Sequence, residues 1–252
     1  MSTLGFSSKS FTVEGFEPQP VVETLWPILS KLDLKPLNVY KGVDMTEIQN
    51  IKKPLTEASY KTFTTNKVEK ILIGYQVFMK RMTIQPITII PSDDYDFPML
   101  AAEVVENPGG VHFLLDMHPL RDLVVDEWYR ERYLDPIEPV WKEYLDLHND
   151  INPNTWFRSF LSPFPICCRL KPKDSDRSEF ARLTEVLAKY LEHYVTNVIP
   201  KAEPVKDPQA KEFANKKKNA MKTIFSTRDP GGGPLVKVCG PEIAKKILMA
   251  LF

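Results

Sequence analysis

The chain has 252 residues, of which 43% are hydrophobic, and its 33 basic side chains balance its 33 acidic ones. This length and composition suit a soluble protein with a substantial core, and zero net charge provides no overall field for binding nucleic acid or an anionic membrane. No apolar run approaches the roughly 18–20 residues that cross a bilayer. The three cysteines, two of them adjacent, predict no disulfide framework and favour a reducing compartment.

The first half of the chain predicts one helix followed by a series of strands. Apolar residues at helical spacing predict a helix over 20–32. β-Branched and aromatic residues with partial alternation then predict strands over 58–66, 68–82, 83–91, 97–105 and 109–120. The segment "ENPGG" at 106–110 predicts a hairpin. Successive strands with short turns imply an antiparallel sheet.

The second half is mainly helical in composition. The predicted helices are 121–150, interrupted at Pro136 and Pro139, then 174–199, 207–226 and 240–252. One further buried strand is predicted over 162–170, and "TRDPGGGP" at 227–234 is predicted to be a loop. Strands followed by helices that cover them predict an α+β fold, with one domain spanning residues 1–252.

Several cofactor motifs are absent from the sequence. There is no G-x-G-x-x-G after a strand, no phosphate loop and no H-E-x-x-H spacing among the four histidines. Three cysteines cannot supply the four thiolates of an ordinary iron–sulfur cluster. The sequence therefore predicts no bound cofactor and no metal site, so a redox enzyme of this kind would receive its electrons from outside.

Asp116 follows the apolar residues of "GGVHFLLD" directly. A carboxylate at this position costs free energy to bury unless it is paired or protonated. It either caps a turn and accepts backbone N–H groups, or it is a desolvated acid that delivers a proton near neutral pH.

Asp229 and Arg169 each have two interpretations. Asp229, in "TRDPGGG", either opens an Asp-Pro turn or is an acid held over a pocket by a glycine-rich loop. Arg169, which ends the apolar strand "FPICCR", either reaches solvent or binds a ligand carboxylate. Met99 and Phe164 are either core residues or the apolar lining of a flat pocket.

Three segments occur in an order that resembles one family. They are "DDYDFPMLAAEVVENPGGVHFLLDMHPL", "FLSPFPICCR" and "KNAMKTIFSTRDPGGGPLVKVCGPEIAKKILMALF". In this order they resemble the ferredoxin-dependent bilin reductases, which include the enzymes that make phycoerythrobilin, phycocyanobilin and phytochromobilin. The resemblance runs from about the middle strands to the C-terminus.

The resemblance implies a fold, a chemistry and a set of site residues. The family fold is a three-layer α/β/α sandwich around a central antiparallel sheet. Acidic [2Fe-2S] ferredoxin delivers electrons singly to a linear tetrapyrrole, with no bound cofactor. Asp116 and Asp229 match the family's two acids, and Arg169 matches a residue that holds a propionate. We expect Arg228, Met99 and Phe164 to bind substrate as well.

The resemblance also bears on the product and the setting. The strand 97–105 lacks the histidine of the phycocyanobilin branch, which favours A-ring reduction of biliverdin or dihydrobiliverdin to phytochromobilin or phycoerythrobilin. A red chlorophyll catabolite reductase-like enzyme and a non-catalytic bilin carrier stay open as alternatives. We expect a soluble monomer in the plastid stroma or a cyanobacterial-type cytoplasm, with no nucleic acid or membrane partner.

Overall fold

A computed structural model describes residues 21–150, 154–171 and 178–252. The strands are Lys35–Pro36 (β1), Val39–Tyr40 (β2), Val43–Asp44 (β3), Ile51–Lys53 (β4), Thr56–Thr64 (β5), Val68–Phe78 (β6), Met82–Pro91 (β7), Met99–Asn107 (β8), Gly110–His118 (β9) and Ile166–Leu170 (β10). The helices are Val21–Leu29 (α1), Glu127–Tyr133 (α2), Glu138–Glu143 (α3), Thr155–Arg158 (α4), Ser178–His193 (α5), Ile199–Lys201 (α6), Pro208–Arg228 (α7), Gly232–Cys239 (α8) and Pro241–Leu251 (α9).

The main sheet is an antiparallel meander. Its strands are ordered β1-β5-β6-β7-β8-β9-β10, β4 pairs with β5, and β2 pairs separately with β3. Because successive residues of a strand point to opposite faces, this register decides which side chains share a face. Ala101 lies opposite Asp116, and Met99 lies opposite His118, so these four side chains are on the same face of the sheet.

Helices cover both faces of the sheet. On one face, apolar residues of α1 and α5 pack against Phe113 and Leu115 of β9 in the largest core cluster. On the other face, Met221 and Phe225 of α7 pack against Met99, while α8 and α9 pack over β5 and β6. The predicted α+β fold with an α/β/α layering is confirmed. None of the helices in the described ranges is long and apolar enough to cross a membrane.

The hairpin between β8 and β9 is confirmed and depends on a glycine. Asn107 pairs with Gly110, whose φ of +131° lies outside the range that other residues readily adopt. A Cβ at this position would also lie 2.0 Å from the Leu170 carbonyl oxygen. Only glycine therefore allows β10 to lie against this end of the hairpin.

The loop predicted over 227–234 is wrong in extent. The helix α7 continues to Arg228 and α8 begins at Gly232, so only Asp229–Gly231 separates the two helices. Pro234 fits α8 because the first residues of a helix need no N–H partner within it. The predicted helix over 174–199 is present from Ser178. Residue 20 of the first predicted helix and residues 174–177 lie outside the described residues.

Candidate functional site

A cavity of about 240 Å³ lies on the sheet face that α7 and α9 cover. Small side chains in the middle strands, such as Thr88 and Ala101, leave space that the covering helices do not fill. The helical side of the cavity is lined by large apolar groups, among them Trp156, Phe225 and Phe252. The cavity therefore has the mainly apolar walls that are typical of a small-molecule site.

Asp116 is fully buried on this face and its carboxylate is well satisfied. Its Oδ2 accepts a hydrogen bond from the Ser162 backbone N–H at 2.9 Å, and its Oδ1 lies 2.5 Å from Ser162 Oγ. The Nδ1 atom of His118 is 2.9 Å from Oδ2. These three contacts explain how a carboxylate can be buried here, and Asp116 itself is not among the residues that line the cavity.

His118 lies between Asp116 and the cavity. Its ring is fully buried, lines the cavity and packs against Phe225 with ring centroids 5.6 Å apart. Its Nδ1 contacts Asp116 and the Phe160 carbonyl oxygen, whereas its Nε2 has no hydrogen-bond partner among the described residues. A buried ring nitrogen without a protein partner is a group that a ligand can satisfy.

Asp229 lines the same cavity from the end of α7. Asp229 leaves the helical conformation there, and Pro230 prevents the helix from continuing. The Oδ1 atom accepts a hydrogen bond from the Gly231 N–H at 2.6 Å. Burial raises the pKa of Asp229 above its ordinary value, while this hydrogen bond acts in the opposite direction. The side chain thus forms the turn predicted for Asp-Pro and also faces the cavity.

Glu103 also lines the cavity, on β8 opposite Leu114. Burial, with a smaller contribution from the nearby Asp229 carboxylate, raises the pKa of Glu103 to about 7. A carboxyl group with a pKa in this range exchanges protons near neutral pH. The cavity therefore has two interacting acids, Glu103 and Asp229, in addition to the buried unit of Asp116 and His118.

The structure does not bring Arg169 and Arg228 into the cavity lining. The Arg169 side chain is 67% exposed and contacts the Asp150 carboxylate at 3.3 Å. Asp150 and His112 line the cavity, and Arg169 contacts Asp150 without lining the cavity itself. Arg228 is exposed at the end of α7.

Met99 and Phe164 are separated by the structure. Met99 is fully buried and lines the cavity, opposite His118. Phe164 instead belongs to the main core, where its ring packs edge-on against Trp141 at 5.6 Å. Phe164 therefore lies in the core, and Met99 lines the cavity.

Sequence reasoning missed Glu103 and His118. The D-x-H spacing of Asp116 and His118 on a strand places both side chains on one face, which was a usable signal. Glu103 follows the same alternation as Met99 and Ala101, but an acid on a strand ordinarily indicates a solvent-facing position. In the described ranges, no group of three or more His, Cys, Asp and Glu side chains is placed to hold a metal ion.

The cavity lies between an antiparallel sheet and the helices that cover it, and its apolar walls also contain carboxyl and imidazole groups. These features are typical of a protein that binds a small molecule and exchanges protons with it. The family model of the ferredoxin-dependent bilin reductases matches residues 23–252. The chain belongs to this family and is an oxidoreductase that reduces a bilin with electrons from ferredoxin.

Its relatives share most of its length. The chain is 25% identical to phycoerythrobilin:ferredoxin oxidoreductase from Gloeobacter violaceus over 229 residues, which cover 89% of each chain. It is 26% identical to the same enzyme from Nostoc punctiforme, over 84% of this chain and 83% of the relative. The crystal structure of tomato phytochromobilin synthase in complex with biliverdin has a TM-score of 0.71 at 19% identity, covering 89% of this chain and 78% of that one. The structural likeness confirms the fold.

Proposed function

We propose that the protein reduces the A-ring diene of biliverdin or dihydrobiliverdin, giving phytochromobilin or phycoerythrobilin. The observation that carries this proposal is Asp229, an acid with a raised pKa that lines the apolar cavity next to Glu103. Two similar enzymes are phycoerythrobilin:ferredoxin oxidoreductases. The match over 23–252 supports a single bilin reductase domain.

Each double-bond reduction requires two electrons and two protons. Reduced ferredoxin supplies the electrons one at a time, so the protein needs no cofactor of its own. Asp229 gives the proton that completes A-ring reduction, because it lines the cavity from the end of α7, close to Glu103. Asp229 lies close enough to raise the pKa of Glu103, so Glu103 is placed to restore that proton.

The tetrapyrrole is larger than the cavity in its present shape. Typical small-molecule sites have about 300–1,000 Å³, whereas this cavity has about 240 Å³. A neighbouring groove of about 410 Å³, lined by Lys41, Lys222 and Lys245, is separated from the cavity by Phe252, which lines both. Entry of the pigment therefore displaces Phe252 and neighbouring side chains of α9.

The propionates would lie at the charged rim of the site. Arg169 can bind one of them after exchanging its contact with Asp150 for the ligand carboxylate, and Arg228 lies at the exposed end of α7. We propose that the protein acts in the plastid stroma or in a cyanobacterial-type cytoplasm, where reduced ferredoxin would be its electron donor. We propose that it acts there as a monomer.

The proposal is tested under anaerobic conditions. The protein is mixed separately with biliverdin and with dihydrobiliverdin, a ferredoxin-reducing system is added, and the products are separated. Conversion of dihydrobiliverdin alone indicates a phycoerythrobilin-forming enzyme, and conversion of biliverdin indicates a phytochromobilin-forming or four-electron enzyme. A bound spectrum that never changes under reducing conditions would contradict the proposal and favour a carrier.

The matched variant is Asp229→Asn, which keeps the size of the side chain and its hydrogen bond from Gly231. We expect it to bind the pigment and to lose about 10²–10⁴-fold in the rate of A-ring reduction. Unchanged product formation would remove Asp229 from the mechanism.

A further inference from the structure

One buried polar side chain on the sheet side of the cavity is not used by the function proposed above. His118 is fully buried, lines the cavity and has a ring nitrogen, Nε2, without a hydrogen-bond partner among the described residues. Leaving such a group unsatisfied costs about 1–3 kcal/mol. We propose that His118, rather than Asp116, contacts and protonates the tetrapyrrole from the sheet side, and that Asp116 is a positioning residue. This inference rests on the proposed function.

The contacts of Nδ1 determine which ring nitrogen holds the permanent proton. Nδ1 lies 3.1 Å from the Phe160 carbonyl oxygen and 2.9 Å from Asp116 Oδ2. A carbonyl oxygen only accepts hydrogen bonds, so Nδ1 must carry the hydrogen. The remaining nitrogen, Nε2, is therefore the one left for a ligand.

Asp116 is poorly placed to act on the pigment directly. Both of its oxygens already receive hydrogen-bonding contacts, from the Ser162 N–H, the Ser162 hydroxyl and His118, and Asp116 does not line the cavity. The same contacts suit it to fix the orientation of the imidazole and to stabilise its protonated form. Phe225 packs on the other side of the ring and restricts its movement.

Each proton transfer from His118 accompanies one electron from ferredoxin. Ferredoxin adds one electron to the bound pigment, and the Nε2–H bond of the imidazolium breaks as an N–H or C–H bond forms on the pigment. The neutral imidazole keeps its Nδ1 hydrogen toward Asp116, and a solvent proton restores the imidazolium before the next electron arrives. No other oxidant or reductant is needed.

Several other groups influence this proton. Burial raises the pKa of the Cys167 thiol, on the neighbouring strand, to about 12, with the Asp116 charge contributing, so this thiol stays neutral. Tyr190, from α5, is likewise kept neutral because burial raises its pKa. Glu103, Asp150 and Asp229 are the acids that line the same cavity, and His112 lines it as well. Asp116 is thus the carboxylate in direct contact with the His118 ring.

The test uses the full chain and biliverdin, with two readouts. The first is the visible spectrum of bound biliverdin as a function of pH without ferredoxin, and the second is the rate of a single reduction with reduced ferredoxin. His118→Gln should retain biliverdin binding, lose about 10²–10⁴-fold in rate and lose the pH-dependent colour change. Asp116→Asn should keep the colour change and shift its midpoint to lower pH, because an amide does not stabilise the imidazolium.

His193→Gln is the matched control. His193 also has a buried Nε2 without a partner among the described residues, but it lies on α5 and does not line the cavity. We expect it to leave both readouts as in the wild type. Retention of biliverdin binding shows that the other variants are folded.

The outcomes separate the two proposals. A wild-type rate in His118→Gln, or loss of rate in Asp116→Asn without a shift of the midpoint, would overturn the role of His118. A wild-type protein that binds biliverdin without reducing it would overturn the proposed function, while the colour change would still report whether His118 contacts the pigment. A wild-type protein that does not bind biliverdin would overturn both.

Discussion

Replacing Glu103 with glutamine should stabilise the protein at alkaline pH and not at acidic pH. Burial, with a further contribution from Asp229, raises the pKa of Glu103 from 4.5 to about 7. The folded state therefore holds a proton that the unfolded state has already released. As the pH rises from 4.5 to 7, this difference progressively destabilises the folded wild-type protein, and above pH 7 the cost is constant.

The magnitude follows from the size of the shift. At about 1.4 kcal/mol per pKa unit, the shift corresponds to about 3 kcal/mol of unfolding free energy. Glu103 is partly rather than completely buried, so this value is an upper bound. We expect Glu103→Gln to match the wild type near pH 4.5 and to exceed it by up to about 3 kcal/mol at pH 8.

The assay is denaturant unfolding, followed by tryptophan fluorescence, at a series of pH values from 4.5 to 8. Glu131→Gln, at an exposed position on α2, makes the same chemical change on the surface and serves as the control. Asp229→Asn should reduce the effect of Glu103→Gln, because it removes the charge that adds to the shift. A stability difference that is the same at pH 4.5 and pH 8 would refute the reasoning.

Three further substitutions test other parts of the structure. Gly110→Ala should destabilise the fold by about 1–3 kcal/mol or more in thermal or denaturant unfolding, because its Cβ would lie 2.0 Å from the Leu170 carbonyl oxygen. The control Gly109→Ala, at a residue without a positive φ, should destabilise it less. Phe252→Ala should accelerate biliverdin uptake in stopped-flow mixing, because this ring separates the cavity from the lysine-lined groove. An unchanged rate of uptake would show that biliverdin enters the cavity by another route. Arg169→Gln should weaken biliverdin binding about tenfold in a spectral titration and leave the single-turnover rate of the bound pigment intact; an unchanged Kd would remove Arg169 from propionate binding.

The sequence was most informative where local rules agree with the tertiary structure. The strands were predicted because their alternation and the "ENPGG" turn are local signals, and the hairpin at Gly110 is present. The glycine-rich loop was predicted too long because glycines and Pro234 disfavour a helix interior, while the first turn of α8 tolerates them. Local propensity could not show that this helix starts at Gly232.

The candidate site was predicted only in part, for a different reason. The sequence predicts Asp116 as a candidate site residue because an acid directly follows a run of apolar residues. Glu103 alternates with apolar residues as a solvent-facing strand residue does, and it is buried only because α7 and α9 cover that face. That coverage is a long-range contact, so no local pattern indicates it.

The acids in and beside this cavity are buried in two different ways, and this difference bears on which of them can release a proton. Asp116 is surrounded by hydrogen-bonding partners from Ser162 and His118, which compensate the cost of its charge. Asp229 has one hydrogen bond, from Gly231, and Glu103 has a neighbouring carboxylate in place of a cation. Their raised pKa values follow from this lack of compensation. A proton held near neutral pH is therefore available at the end of the cavity formed by Glu103 and Asp229. On the sheet side, Ser162 and His118 hold the Asp116 carboxylate, and His118 is the group of this unit that lines the cavity.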